Sequence, residues 1–254
     1  MIYDLQKASL LKRFSAFLLD LILMVILITG FAWMISSVTG FSEHADNLDS
    51  LITSYEEKFD LDFGITNEDY EKMTESEKEY FNSSYQEVIQ DEQYRYLSNI
   101  IFYTLITIVS ISFLLSHIVL EFIVPLLFKN GQTVGKKIFS IAVMRVDGIK
   151  VTPVIMFVRS ILGKYTIETM IPTIIILMMR FGVGSYVTLG VVILIGLFQL
   201  ILLIATKTNS LIHDALSSTV VVDLQSQMIF DSVEAKNEYR MRIHNEEVKN
   251  SKYF

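Results

Sequence analysis

Four stretches of the chain are apolar for most of a bilayer crossing: Phe14 to Val38, Asn99 to Leu120, Thr166 to Phe181 and Tyr186 to Thr206. Each predicts a transmembrane helix. The third is short, because the core between Glu168 and Arg180 is only eleven residues, roughly 16 Å of helix, so both charges are expected at the interfaces. If it fails to cross, the chain after it lies outside. The first span does not read as a cleavable signal, since its apolar run is too long and no small-residue cleavage site follows it.

The segments between these runs carry their own patterns. Leu5 to Lys12 predicts a short helix leading into the first span. The insert from Phe41 to Leu97 reads as a helical hairpin around a turn region, Asp60 to Asp69, with Thr66 as the cap of its second half. Its aromatic residues, among them Tyr70, Tyr80, Phe81 and Tyr85, argue for packing. Beyond Pro125, Gly131 to Lys137 breaks the helix, and its glycines are expected to turn the chain while Lys136 and Lys137 meet anionic headgroups. It lacks the spacing of a phosphate loop. Ile138 to Val146 and Ile149 to Thr152 flank Asp147-Gly148, which predicts a β-hairpin with a type I′ turn. Thr152-Pro153 then caps a helix to about Gly163, too short to cross and expected in the interface. Ser218 to Leu224 is a further strand that would join the hairpin, and Asp231 to Lys252 reads as a charged, solvent-facing helix.

The expected fold is an all-α membrane protein: a four-helix transmembrane bundle with a cytoplasmic interfacial helix, a small cytoplasmic β-hairpin and an extracytoplasmic helical insert. The boundaries are 1–40, 41–97, 98–128, 129–165, 166–206 and 207–254.

Charge gives this arrangement a direction. The net charge of -7 hides a segregation: residues 41–97 hold 16 acids and 4 bases, whereas 129–164 hold seven bases and one acid, Asp147. Lys and Arg accumulate on the cytoplasmic side. The basic connection and both termini are therefore expected inside, with the acidic insert outside. The chain has no cysteine, which removes disulfides, thiolate metal sites and cysteine nucleophiles. The partner expected from composition is the lipid bilayer. No nucleic acid and no cofactor are expected.

Ionisable residues within apolar spans are the candidate chemistry, because a charge facing lipid is costly. Arg13 and Asp20 lie two helical turns apart, on one face of the first span. Asp20 either pairs with an arginine to fix the bundle or takes up a proton or cation, its pKa raised by burial. His117 and Glu121 share a face near the end of the second span and are too few for a metal site. They snorkel to water, pair with Arg159 or join a proton route. His213-Asp214 forms a capped turn after the last span, or resembles a catalytic pair that no activated serine motif completes. No complete nucleophile, base and oxyanion set is visible, so an enzyme is not expected.

Three blocks resemble the RDD family of bacterial membrane proteins, named for one arginine and two aspartates. They are Lys12 to Asp20; Gly131 to Lys137, with the Asp147-Gly148 turn and Arg159 after it; and His213 to Val222. The resemblance implies that Arg13, Asp20 and Asp214 are the naming residues and that the protein resides in the bacterial cell membrane. It also brings in transport, including cation/proton antiport proposed for some members. The long acidic insert departs from the shorter loop of the family.

Two functions follow. One is a small cation/proton antiporter or solute transporter, which uses Asp20 on a monovalent cation or proton. A homo-oligomer would complete its walls. Pro172, Gly182, Gly184, Gly190 and Gly196 hint at the discontinuous helices of a carrier. The other is a membrane-anchored accessory or regulatory protein that binds a membrane-protein partner through its insert. The charge pattern favours an inner-leaflet cluster of Arg13, Asp20, Glu121, Arg159 and Asp214, with His117 and His213 as possible proton-linked groups.

Overall fold

The structure is a computed structural model that describes residues 5–182 and 185–251. Gly184 and Lys252, named above, lie outside the described residues. Four helices are long and apolar enough to cross a membrane: α1 (Leu10–Thr39), then, after the insert helices α2 (Phe41–Phe59), α3 (Asn67–Lys72) and α4 (Glu75–Gln90), α5 (Glu92–Leu127). Beyond α6 (Val134–Ile138) and β1 (Ile141–Arg145) come the other two, α7 (Pro153–Arg180) and α8 (Tyr186–Ala205). The chain ends with α9 (Ile212–Leu216), β2 (Thr219–Asp223) and α10 (Val233–Ser251). Two compact units result, Ala32–Ile111 and the remainder of the chain.

The first unit contains the insert. Thr66 caps α3 as expected, and Thr74 opens α4 with a full capping box. Rings knit these helices together: Phe63 meets Phe81 at 5.7 Å and Tyr85 at 5.9 Å, and Phe59 meets Tyr80 edge-on at 6.5 Å. Such pairs add to the burial of their apolar area. The insert is therefore a packed helical element.

In the second unit the structure corrects three expectations. The short interfacial helix and the short third span are one helix, α7, of 28 residues. Thr152 does accept a hydrogen bond from Ile155 N–H, but the helix continues past Gly163. It does so because Val158–Met170 is π-helical, a register with i to i−5 bonds that keeps the backbone paired up to Pro172. A length of about 42 Å then suffices for a crossing.

Leu5 to Ser9, part of the expected leading helix, are not helical. Ser9 caps α1 by accepting from Lys12 N–H at 3.3 Å, which starts the helix at Leu10. Lys7 instead bridges Val222, and Ala8 N–H donates to Val221 O at 3.1 Å. The segment adds an edge to β2.

The expected hairpin is reduced to a single bridge, Met144 to Lys150. β1 pairs antiparallel with distant β2, with Ile141 opposite Asp223 and Arg145 opposite Thr219. Between Arg145 and Ile149 runs a three-residue loop in which only Gly148 takes a positive φ, of 88°. A type I′ turn needs two such residues, so this is the bulged three-residue form. The ribbon is buried on both faces: Ile141, Val143 and Val221 pack with Ala8 and Ala16, while Ala142, Met144, Val220 and Val222 form a second cluster. Side-chain alternation along each strand makes the two sets.

α1 buries only Ala16, Asp20 and Met24, one turn apart, and leaves its other apolar faces open. α8 buries none of its residues. Such helices are compatible with water only if lipid or protein covers them. The chain is a multi-pass membrane protein.

The contact of α6 with α1 depends on Gly135. A Cβ there would stand 2.2 Å from Ala16 O and 2.9 Å from the Asp20 carboxylate carbon, both fixed. Gly135→Ala is expected to lower stability by roughly 1–3 kcal/mol through this overpacking. Thermal unfolding of the detergent-solubilised protein checks it, and an unchanged midpoint would contradict the close approach.

Candidate functional site

The ionisable residues of the second unit separate into three connected groups. Around the naming residues, Asp214 is the hub. Arg159 Nη1 donates to Asp214 Oδ1 at 2.5 Å and to Thr219 Oγ1 at 2.9 Å, and Arg13 Nη2 reaches Asp214 Oδ2 at 3.3 Å. Arg13 Nη1 also donates to Asn209 O at 2.6 Å. Arg159 and Asp214 are each 1% exposed, so water screens this pair very little. Burial alone would raise the Asp214 carboxyl, but Arg159, His213 and Arg13 hold it well below the usual carboxylate range.

His213 ties this hub to Glu168. Its backbone N–H donates to Glu168 Oε1 at 2.9 Å, and its Nδ1 lies 2.8 Å from Glu168 Oε2. A carboxylate only accepts, so Nδ1 carries the proton. Burial pushes the imidazole below its ordinary value, with Asp214 opposing and Arg159 assisting that shift. Gly163 packs directly on His213, where a Cβ would come within 2.6 Å.

The second group is Glu121, Lys164 and Lys136. Lys164 Nζ donates to Glu121 Oε1 at 2.6 Å, whereas Lys136 Nζ stands 3.9 Å from Glu121 Oε2. That separation is an ion pair without a hydrogen bond. Among the described residues, buried Glu121 Oε2, Lys136 Nζ and Arg159 Nε have no hydrogen-bond partner. Burial first, and then the positive charge of Lys164, push the Lys136 ammonium down to about 8 against the pull of Glu121.

Asp20 forms the third group. It accepts from the Thr133 hydroxyl and, at 2.8 Å, from Gly135 N–H. Thr133 Oγ1 itself accepts from Lys136 N–H at 3.3 Å, so Asp20 and Thr133 together satisfy the start of α6. This is a structural use of a buried carboxylate.

The expected single cluster is thus divided. Arg13, Arg159 and Asp214 come together, Glu121 lies with the lysines, and no ion pair joins Asp20 to Arg13 despite their shared helix. His117 bonds through Nδ1 to Phe113 O at 2.8 Å and stacks edge-on with Tyr165. Lys136 points inward to Glu121, not outward to headgroups, while Lys137 lies over the Phe128 ring at 3.8 Å.

The sequence reading missed Glu168, Lys164 and Lys136 as site residues. For Glu168 and Lys164 the reason is the π register, whereas Lys136 sits on α6 and only the tertiary fold turns it inward. Arg159 and Glu168 are nine residues apart, about two and a half turns of an α-helix, and would project to opposite sides. The slower i to i−5 winding brings both toward α9 and turns Lys164 toward α5. Glu121 likewise sits in a π segment, Ile118–Ile123. The available signal was an uninterrupted helix-compatible sequence from Pro153 onward.

A family model described as the RDD family matches residues 7–218. The chain belongs to the RDD family. No curated protein and no solved structure matches it. The matched range contains all three charged groups and also the acidic insert. A surface cleft of about 390 Å³ opens beside the site, lined in part by Arg145, Asp147, Val158 and Ser217. Ser217 Oγ lies 2.9 Å from Thr219 Oγ1, so one hydrogen bond separates the cleft from the Arg159 hub.

Removing one partner of a buried ion pair strands the other charge. Arg159→Met is expected to cost about 3–5 kcal/mol, because the more distant Arg13 is then the one arginine left to the buried Asp214. Denaturant unfolding in mild detergent measures this, and a loss below about 1 kcal/mol would show that Arg13 suffices.

Proposed function

We propose that this RDD-family protein is a small secondary transporter that exchanges a small ion or solute for a proton, with Glu121 and Lys136 at its centre. The observation that carries the reading is their arrangement: opposite charges 3.9 Å apart, both buried, neither hydrogen-bonded to the other. A buried pair that is not closed by a hydrogen bond is unfavourable at rest and ready to take a partner. Lys136, at about 8, changes charge near physiological pH. Asp20, by contrast, has its oxygens engaged at α6 and supports the site.

The reading places the protein in the bacterial cell membrane with both termini and the charged groups on the cytoplasmic side and the insert outside. The basic residues from Lys129 to Lys164 support that orientation. Four helices with open apolar faces are few for a pathway, and a homodimer or a membrane-protein partner would supply further walls.

A second reading, partner binding by the insert, draws on its aromatic packing and its 16 acids against 4 bases. A charged, folded external element adds nothing to an exchange centre built elsewhere in the chain. Partner binding would explain it.

Proteoliposomes loaded with a pH-sensitive dye test the transport reading. Wild type is expected to move protons when a gradient of a small inorganic salt such as sodium chloride is imposed, and Glu121→Gln to lose at least about tenfold in rate. Below about 8 Lys136 is charged and above it neutral, so the rate should change most between roughly pH 7 and 9, and Lys136→Arg should abolish that dependence. Wild-type flux no greater than that of empty vesicles would sink the proposal. A variant lacking residues 42–93 that keeps its flux but loses a co-purifying protein would assign the insert to partner binding.

Orientation has its own test, since the native chain has no cysteine. In intact cells an impermeant maleimide is expected to label Ser54→Cys and to spare Ser226→Cys. Labelling at position 226 would overturn the orientation.

A further inference from the structure

The buried and partly buried groups of the site balance in formal charge only while Glu121 is in place. Four cations, Arg13, Lys136, Arg159 and Lys164, face four carboxylates, Asp20, Glu121, Glu168 and Asp214. The balance is uneven in space. Asp214 is shared by two arginines, and Glu168 is taken by His213. Asp20 accepts from Thr133 and Gly135. That leaves Glu121 as the one carboxylate in ion-pair contact with Lys164 and Lys136, with the charge of Arg159 also felt there.

The unpartnered atoms point the same way. Lys136, 8% exposed, and Arg159, 1% exposed, each hold a buried N–H group with no acceptor among the described residues. Unsatisfied donors on positive groups call for an acceptor with negative charge. Glu121 Oε2 is unpartnered as well, but Lys136 and Lys164 flank that carboxylate, so positive charge outnumbers it two to one there.

We infer that the Glu121 carboxylate stands in for a small monovalent anion, which takes its place between Lys136 and Lys164 during transport. The inference rests on the transport reading above and names the charge of its substrate. One negative charge is what the site loses when Glu121 moves away, so one monovalent anion restores neutrality. A carboxylate head is also the size standard: chloride, nitrate or formate fits the space that two oxygens leave, whereas gluconate does not. When Glu121 leaves, Lys164 loses its 2.6 Å acceptor and Lys136 its nearest counter-charge, and both become available together.

The test is anion-dependent thermal stabilisation of the full-length protein in nanodiscs, with chloride or nitrate replacing gluconate at constant ionic strength. Glu121→Gln removes the competing charge at nearly constant volume. It is expected to bind chloride at least about tenfold more tightly than wild type. Adding Lys136→Gln to that variant should remove the shift, and adding Lys136→Arg instead should retain it. The arginine variant keeps the comparison valid if the glutamine variant folds poorly. No chloride- or nitrate-dependent shift in Glu121→Gln would overturn the inference, as would a shift that survives loss of the lysine charge in a folded Lys136→Gln variant.

Flux measurements separate this failure from failure of the transport reading. Proton movement that proceeds equally with gluconate as the sole anion would leave transport standing and overturn the anion. Chloride binding that depends on Lys136 in a protein without flux would support the anion site and reject the transporter.

Discussion

The Arg159–Asp214 contact is the interaction on which the charged unit depends. Both groups are almost wholly buried, and each would be intolerable alone in an apolar surrounding. Paired, they fix three elements at once. Arg159 comes from α7, Asp214 from α9, and Thr219, which shares the guanidinium, from the first residue of β2. Arg13 adds the first turn of α1 to the same carboxylate. A single carboxylate thereby joins the start of the first span, the third span and the segment after the last one.

The small ribbon is built around that junction. β1 and β2 are far apart in sequence, and their pairing requires that the chain between them return to the same place. The Ala8 to Val221 bond and the Lys12–Asp223 ion pair add the N-terminal segment, so both ends of the RDD region meet on β2. Buried on two faces, the ribbon gives α6 a fixed platform against α1, where Gly135 permits the close approach that Asp20 completes. The same platform carries Lys136 into the site. Asp20 therefore belongs to the architecture that holds α6 against α1, and in the proposed exchange the chemistry would fall to Glu121 and the lysines.

The same arrangement explains why the proposed exchange centre is not the most conspicuous residue of the sequence. An aspartate deep in a span attracts attention because its desolvation cost is plain from the sequence. Two donors satisfy it locally, which removes its need for a mobile partner. Lys136 looks ordinary along the chain, as a basic residue expected at headgroups, and Glu121, legible as a candidate charge, gives no sign of which lysines it meets. Their enclosure comes from neighbours supplied by distant segments.

The sequence by itself determined the four apolar helices, the cap at Thr66, the helical character of the insert, the strand after Asp214 and the family blocks. Those features rest on local composition, periodicity and capping, which a linear reading contains. Tertiary structure decided which charges meet. The hairpin is cut short because Asn130 O, which accepts from Val143 N–H, occupies the edge of β1 where its second strand would continue, while distant β2 fills the opposite edge. The interfacial helix merged with the third span because a π register, with no sequence signature comparable to a heptad or an alternation, carried the helix through to Pro172. That same winding placed Arg159, Lys164 and Glu168 where no α-helical count would put them together, and the site exists because of it.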